Sequence, residues 1–289
     1  MKLTLPQMDL ELVVRSHGWY DLPPFEWQPA EKTLGFIFLE REEPVQVRVR
    51  CAAGGLVATA TSIAPSARAS KGELRGVLER VLDLKANLSS FHAVCAGDPR
   101  FAWVSRRGAG RILRAPTVFE DAVKVLATTN CTWGLTKLMV KNLIERFDRG
   151  GAFPDALFVA SLPARALAAA KWGYRAPYLA AFAGRVASGK LDLARWEDPD
   201  RPDEEVEAEI RAEKGFGPYA ADTLGRLLGR HRKLGLDSWS RKRVASLRFR
   251  GRAVKDARVA RLYAPFGRHA GLAFWLDVTR DWHEEKESL

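Results

Sequence analysis

Two helix-forming stretches, EEVEAEIRAE and, opened by Pro218, YAADTLGRLLGR, are separated only by the four residues KGFG at positions 214–217. A link that short cannot hold a third element. The chain therefore doubles back in a tight helical hairpin over about residues 206–230, with a glycine at positive φ and Pro218 at the first position of the second helix. Such a turn presents backbone amides and a helix N-terminus outward, an arrangement that can hold one phosphate without reading sequence. An ordinary turn between two packed helices has the same signature, so the hairpin alone does not decide function.

The rest of the chain divides by hydrophobic period. From Leu10 to about Ala64, LELVVR, TLGFIFLE, VQVRVRC and GLVATATSI alternate or run apolar between turn residues and read as strands of an antiparallel sheet. From about Ser70 the period is helical, with GELRGVLERVLDL, TVFEDAVKVLATTN, GLTKLMVKNLIERF, PARALAAAK, APYLAAFAGRVAS and DARVARLYAPF as the best amphipathic stretches. Thr117 with Glu120 before an apolar run fits a capping box. The expected fold is α+β: a small N-terminal antiparallel sheet domain, residues 1–88, followed by a mostly α-helical domain, residues 89–289.

Charge points to a polyanionic partner. Lys and Arg number 46 against 35 Asp and Glu, giving a net charge of +11. Nine acidic residues fall between 197 and 213, whereas 241–255 holds seven basic residues, beginning with Arg241, Lys242 and Arg243, and no acidic one. A phosphate backbone would be repelled by the first segment and attracted by the second. The acidic segment reads as solvated rather than metal-binding. Cys51, Cys95 and Cys131 lack C-x-x-C spacing and the five histidines lack ligand spacing. No disulfide, zinc site or iron–sulfur cluster is expected, and no cofactor. The N-terminus has no signal-peptide pattern and no apolar run would span a bilayer, so a cytoplasmic, nucleoid-associated monomer without a membrane partner is expected.

Asp237 lies eighteen positions beyond Tyr219 and directly before SWSRKRVA, where it reads as a helix N-cap. A capping carboxylate is rigidly placed. Beside a sugar C1′ the same group would stabilise an oxocarbenium-like transition state or orient the attacking water.

KGFGPYAADTLGRLLG followed by LGLDSWSRKRVA resembles the hairpin, Gly/Pro-rich loop and aspartate signature of the helix-hairpin-helix DNA glycosylase superfamily. The closer similarity is to its 8-oxoguanine and alkyladenine glycosylase branch. ATTNCTWG, GYRAPY and GRHAGLAFWL extend the resemblance over about residues 9–282. It implies that Asn130 fills the gap left by a flipped nucleotide, that Tyr174 is a wedge aromatic and that Arg175 faces the orphaned base. It further implies DNA contacts at Lys214, Gly215, Phe216, Gly217 and Tyr219, and a base pocket lined by Trp133, Trp239, Phe274 and Trp275. A monovalent cation held by the carbonyls of Lys214, Phe216 and Gly217 is also implied.

Departures from the pattern shape the expected chemistry. Bifunctional members carry a lysine just after the hairpin that attacks C1′ as an amine; here Tyr219 stands there. The expectation is a monofunctional glycosylase acting on duplex DNA that contains a damaged or modified base, of the purine class, with Asp237 assisting water. The alternatives are an 8-oxoguanine-type enzyme or a non-catalytic DNA-binding protein. Leu135 and Phe274 replace two polar readers of the 8-oxoguanine enzymes, which leads to an expected stacking pocket suited to cationic alkylated purines.

Overall fold

A computed structural model describes residues 1–63 and 70–283. Ala64, where the strand-like pattern was expected to end, and the last six residues of the helical domain lie outside the described residues. The five strands β1 (Lys2–Leu5), β2 (Glu26–Gln28), β3 (Thr33–Glu40), β4 (Glu43–Ala52) and β5 (Gly55–Ser62) form one sheet in the order β1-β5-β4-β3-β2, with every pair antiparallel. Leu34, Phe36 and Phe38 of β3 and Val45, Val47 and Val49 of β4 are buried, so the period-2 pattern puts one face of the sheet on the core. The remaining described residues are mostly helical. The buried side chains of sheet and helices form a single cluster that continues across residue 88. No helix among the described residues is long and apolar enough to cross a membrane.

LELVVR is a helix, not a strand: Leu10–Val14 is α-helical, with the Asp9 side chain accepting from the Leu12 amide at 3.0 Å and Arg15 paired to Glu11 at 2.8 Å. A short apolar run has no decisive period, and here the cap and the i,i+4 ion pair select the helix. At Thr117 only half of the capping box forms. The Thr117 hydroxyl accepts from the Glu120 amide, but the buried Glu120 carboxylate turns to Lys124 at 2.6 Å.

The helices Asp203–Ala212 and Pro218–Leu227 form the hairpin, and Gly215 takes φ +94° while Gly217 keeps negative φ as the N-cap before Pro218. A Cβ on Gly215 would lie 2.7 Å from Leu126 Cδ1 and 3.0 Å from Tyr178 Cδ2. Gly215→Ala is therefore expected to cost about 1–3 kcal/mol through backbone strain alone. Thermal unfolding of the variant measures it; an unchanged midpoint would show that the turn tolerates a side chain.

The acidic segment preceding the turn is more than a solvated face. Glu209 accepts from Arg201 and from the Trp196 indole, Asp203 pairs with Arg230 at 2.7 Å, and buried Glu213 pairs with Arg185 at 3.0 Å.

Candidate active site

Asp237 is the N-cap of the helix Ser238–Arg248, in a complete capping box: its Oδ1 accepts from the Ser240 amide at 2.7 Å, and the Ser240 hydroxyl accepts from the Asp237 amide at 2.9 Å. One carboxylate oxygen is thus fixed by the cap. The side chain borders a cavity of about 390 Å³. That volume is within the usual range for ligand pockets, roughly 300–1,000 Å³.

The loop that presents Asp237 is bolted to the second hairpin helix. Arg226 Nη2 donates to the Leu234 carbonyl at 2.6 Å, and the Gly235 amide donates to Asp222 at 3.2 Å. On its other side the loop meets the helix Ala270–Val278: the Gly271 amide donates to the His231 carbonyl at 2.7 Å, and a Cβ on Gly271 would lie 1.9 Å from the Lys233 carbonyl oxygen. Only glycine allows that approach.

Tryptophans dominate the cavity wall. Trp239, Trp275 and Trp282 enclose one side with ring centroids 5.6 to 6.2 Å apart. Trp133 closes another part of the rim, its indole donating to Asp21 at 2.7 Å while Lys137 donates to the same carboxylate at 2.9 Å. Trp133, Trp239 and Trp275 therefore line one cavity. Phe274 is not among them: it is fully buried and packs edge-on against Tyr263 at 5.3 Å. Successive helical positions point about 100° apart, so only one residue of the Phe274–Trp275 pair can face the cavity, and it is Trp275.

Tyr219, in the first turn of the second hairpin helix, also borders the cavity, with the hydroxyls of Thr128 and Thr223 beside its phenol. Burial, reinforced by the Asp237 carboxylate, pushes the phenol above its ordinary range, so Tyr219 stays neutral at physiological pH.

The expected DNA-facing residues divide into exposed groups and buried supports. Asn130 is exposed with φ +46°, just past the helix Val118–Thr128, and Tyr174 is 54% exposed. Arg175 does not face outward. It is 3% exposed, donates to the Thr129 carbonyl and hydroxyl, and lies under the Tyr174 ring at 4.4 Å. It braces both neighbours instead of meeting a base. Tyr174 in turn touches Tyr178, which packs on Gly215, so Asn130, Tyr174 and the hairpin are linked by contact. Phe216 is likewise buried, 5.2 Å from Phe182. Lys214 and Gly217 are exposed, and no side chain caps the second hairpin helix. In the basic run, Arg241 is held by Asp256 at 2.8 Å and Arg243 by Asp281 and the Val278 carbonyl, whereas Lys242 is exposed.

Sequence reasoning missed one wall of the cavity. His17, Trp19 and Asp21 come from the N-terminal segment, and Thr223, Arg226 and Trp282 from the helical part. Positions 219, 223 and 226 follow i, i+4, i+7 spacing, a helical stripe that would have placed Arg226 beside Tyr219. His17 is buried against Trp19 and Trp275, with centroids at 4.2 and 5.6 Å, and burial followed by the charge of Arg226 lowers its pKa to about 3. Arg226 is 1% exposed and lies over Trp275 at 4.6 Å; burial lowers its pKa to about 10, which leaves it charged at neutral pH. The cavity wall thus carries polar groups, His17 and Arg226, beside the stacking faces expected from the substitutions at Leu135 and Phe274.

No sequence-family model and no curated protein matches the chain. Solved structures do. MBOgg1, in complex with a low-affinity DNA ligand, superposes with a TM-score of 0.75 at 18% identity, covering 98% of this chain and 96% of that one. The 3-methyladenine DNA glycosylase of Archaeoglobus fulgidus gives 0.74 at 18% identity, covering 97% and 98%. The fold is that of the helix-hairpin-helix glycosylases. The Clostridium acetobutylicum 8-oxoguanine glycosylase/lyase, bound to duplex DNA with cytosine opposite 8-oxoguanine, gives 0.74 at 19% identity, covering 96% and 93%. The small antiparallel sheet ahead of the helices belongs to this shared architecture.

Proposed function

We propose that the protein is a DNA glycosylase that everts a modified base from duplex DNA into the tryptophan-walled cavity and hydrolyses its N-glycosidic bond with water. The observation that carries this reading is the placement of Asp237: a carboxylate held by a complete capping box, at the edge of a ligand-sized cavity, on a loop bolted to the hairpin. The hairpin turn, with its exposed lysine and uncapped helix N-terminus, suits one backbone phosphate. Tyr174 and Asn130 suit the hole that the everted base leaves.

The chemistry follows from charge. The C1′–N bond breaks with its electron pair leaving on the base, and positive charge develops over C1′ and the ring oxygen. The Asp237 carboxylate stabilises that charge. Water then forms the new C1′–O bond, its proton going to Asp237 or to the departing base. A partly buried, neutral phenol at position 219 is not an amine and forms no Schiff base, which supports a monofunctional enzyme. A monovalent cation at the carbonyls of Lys214, Phe216 and Gly217 would share the Gly217 oxygen with the Ala221 amide at 3.0 Å.

The test is base release from duplexes carrying single modified bases, with borohydride added to trap any imine. Expected are free base, an intact but alkali-labile strand, and no covalent adduct. An adduct on the protein would end the monofunctional assignment, and failure to release a base from any duplex would end the glycosylase reading.

A further inference from the structure

The cavity wall holds a guanidinium that makes no ion pair, with the carboxylates of Asp222 and Asp237 acting on it from farther away. Arg226 donates one bond, from Nη2 to the Leu234 carbonyl at 2.6 Å, while its buried Nε has no hydrogen-bond partner. No carboxylate among the described residues lies within 4.0 Å of it. A guanidinium buried in this state is costly, and a protein that keeps one at the wall of a cavity has reserved donors for something that enters. His17 also packs against the Trp275 ring, at 5.6 Å, and is neutral, with a buried Nδ1 that lacks a partner.

We propose that Arg226 makes this cavity a site for uncharged, carbonyl-bearing bases and excludes cationic N-alkylated purines, an inference that rests on the glycosylase reading above. A guanidinium offers donors only, so it requires an acceptor on the base; a keto oxygen, alone or with an adjacent ring nitrogen, meets that demand. A neutral imidazole supplies one donor and one acceptor and complements the remaining edge. Tryptophan faces do attract cations, but Trp275 already has the Arg226 guanidinium over it at 4.6 Å. A second cation in the same desolvated space would meet repulsion that water cannot screen. Asp222 and Asp237 act on Arg226 without pairing with it; Asp222 is engaged by the Gly235 amide and Asp237, in the reaction, by the sugar.

The experiment compares single-turnover release of hypoxanthine, xanthine, 8-oxoguanine and N7-methylguanine by the wild-type protein, Arg226→Met and Asp237→Asn. Expected for the wild type is release of at least one carbonyl base, with N7-methylguanine leaving at its spontaneous rate. Arg226→Met should slow the carbonyl base by roughly 10- to 100-fold, the loss of a charged hydrogen bond, and raise N7-methylguanine release above wild type. Faster wild-type release of cationic N7-methylguanine than of every uncharged base, or an Arg226→Met variant with both rates unchanged, would overturn the inference and leave the glycosylase reading intact. No release by the wild type from any duplex would remove that reading and the inference together. Should Arg226→Met fail to fold, as its melting curve would reveal, the wild-type ranking of bases decides alone.

Discussion

Replacing Asp237 with asparagine is expected to leave a folded protein that binds duplex DNA but releases a base far more slowly. The two roles of this side chain separate cleanly in that variant. The cap needs an oxygen that accepts from the Ser240 amide, and asparagine keeps one in the same place. Stabilising positive charge at C1′ needs the full negative charge, and asparagine lacks it. Loss of one preorganised electrostatic group costs roughly 10²- to 10³-fold in rate, and here the group is the sole carboxylate on the hairpin-bolted loop that meets the cavity. Single-turnover release should therefore fall by about that factor, with the melting midpoint and the affinity for an abasic duplex near wild type. Asp237→Ala provides the contrast. It removes the cap as well, so it should lose a further ~1 kcal/mol of stability. Equal excision by wild type and Asp237→Asn would make residue 237 a cap and nothing more.

What the sequence revealed about this site is what local rules govern. A four-residue link, Pro218 at the first helical position and Asp237 ahead of a helix are decided within a few residues of themselves, and each stands where the sequence placed it. The strands β3, β4 and β5 were legible for the same reason, since their alternation is local and strong. The Leu10–Val14 segment was not, because five apolar-rich residues fit either period and an aspartate cap breaks the tie. The cavity escaped sequence reasoning because its walls come from separate parts of the chain. The Trp275 indole, for example, donates to the Ser16 carbonyl, 259 positions away. Phe274 and Trp275 show how fine the margin is, as a rotation of one residue exchanges core for pocket. Arg175 and Arg226 show a second limit. An arginine in a basic chain reads as surface, and only burial reveals that one braces a turn and the other enters a cavity.

The largest stability effect is expected at Asp121. This carboxylate is fully buried and accepts three bonds: from the Trp19 indole at 2.6 Å, from the Ala115 amide at 2.9 Å and from Arg80 at 2.8 Å. Arg80 also donates to the Ala115 carbonyl and pairs with Glu197 at 3.0 Å. Alanine at 121 would leave an indole N–H, a backbone N–H and much of a guanidinium without their acceptor. Breaking a buried ion pair from one side costs about 3–5 kcal/mol. At roughly 2–4 °C per kcal/mol for a chain of this size, the melting midpoint should fall by on the order of ten degrees. Asparagine at 121 retains one acceptor but not the charge, and its midpoint should fall between the two. The function-linked consequence follows from Trp19, which sits in the 3₁₀ turn Gly18–Asp21 that supplies one wall of the cavity. Freed of its anchor, that turn no longer fixes His17 against Trp275 or presents Asp21 to Trp133 and Lys137. Even well below its midpoint, Asp121→Ala should excise more slowly while still binding abasic duplex through the hairpin. A variant with the wild-type midpoint would mean that the Trp19 turn is held by packing alone, and wild-type excision from a destabilised variant would mean that this wall of the cavity is dispensable for the chemistry.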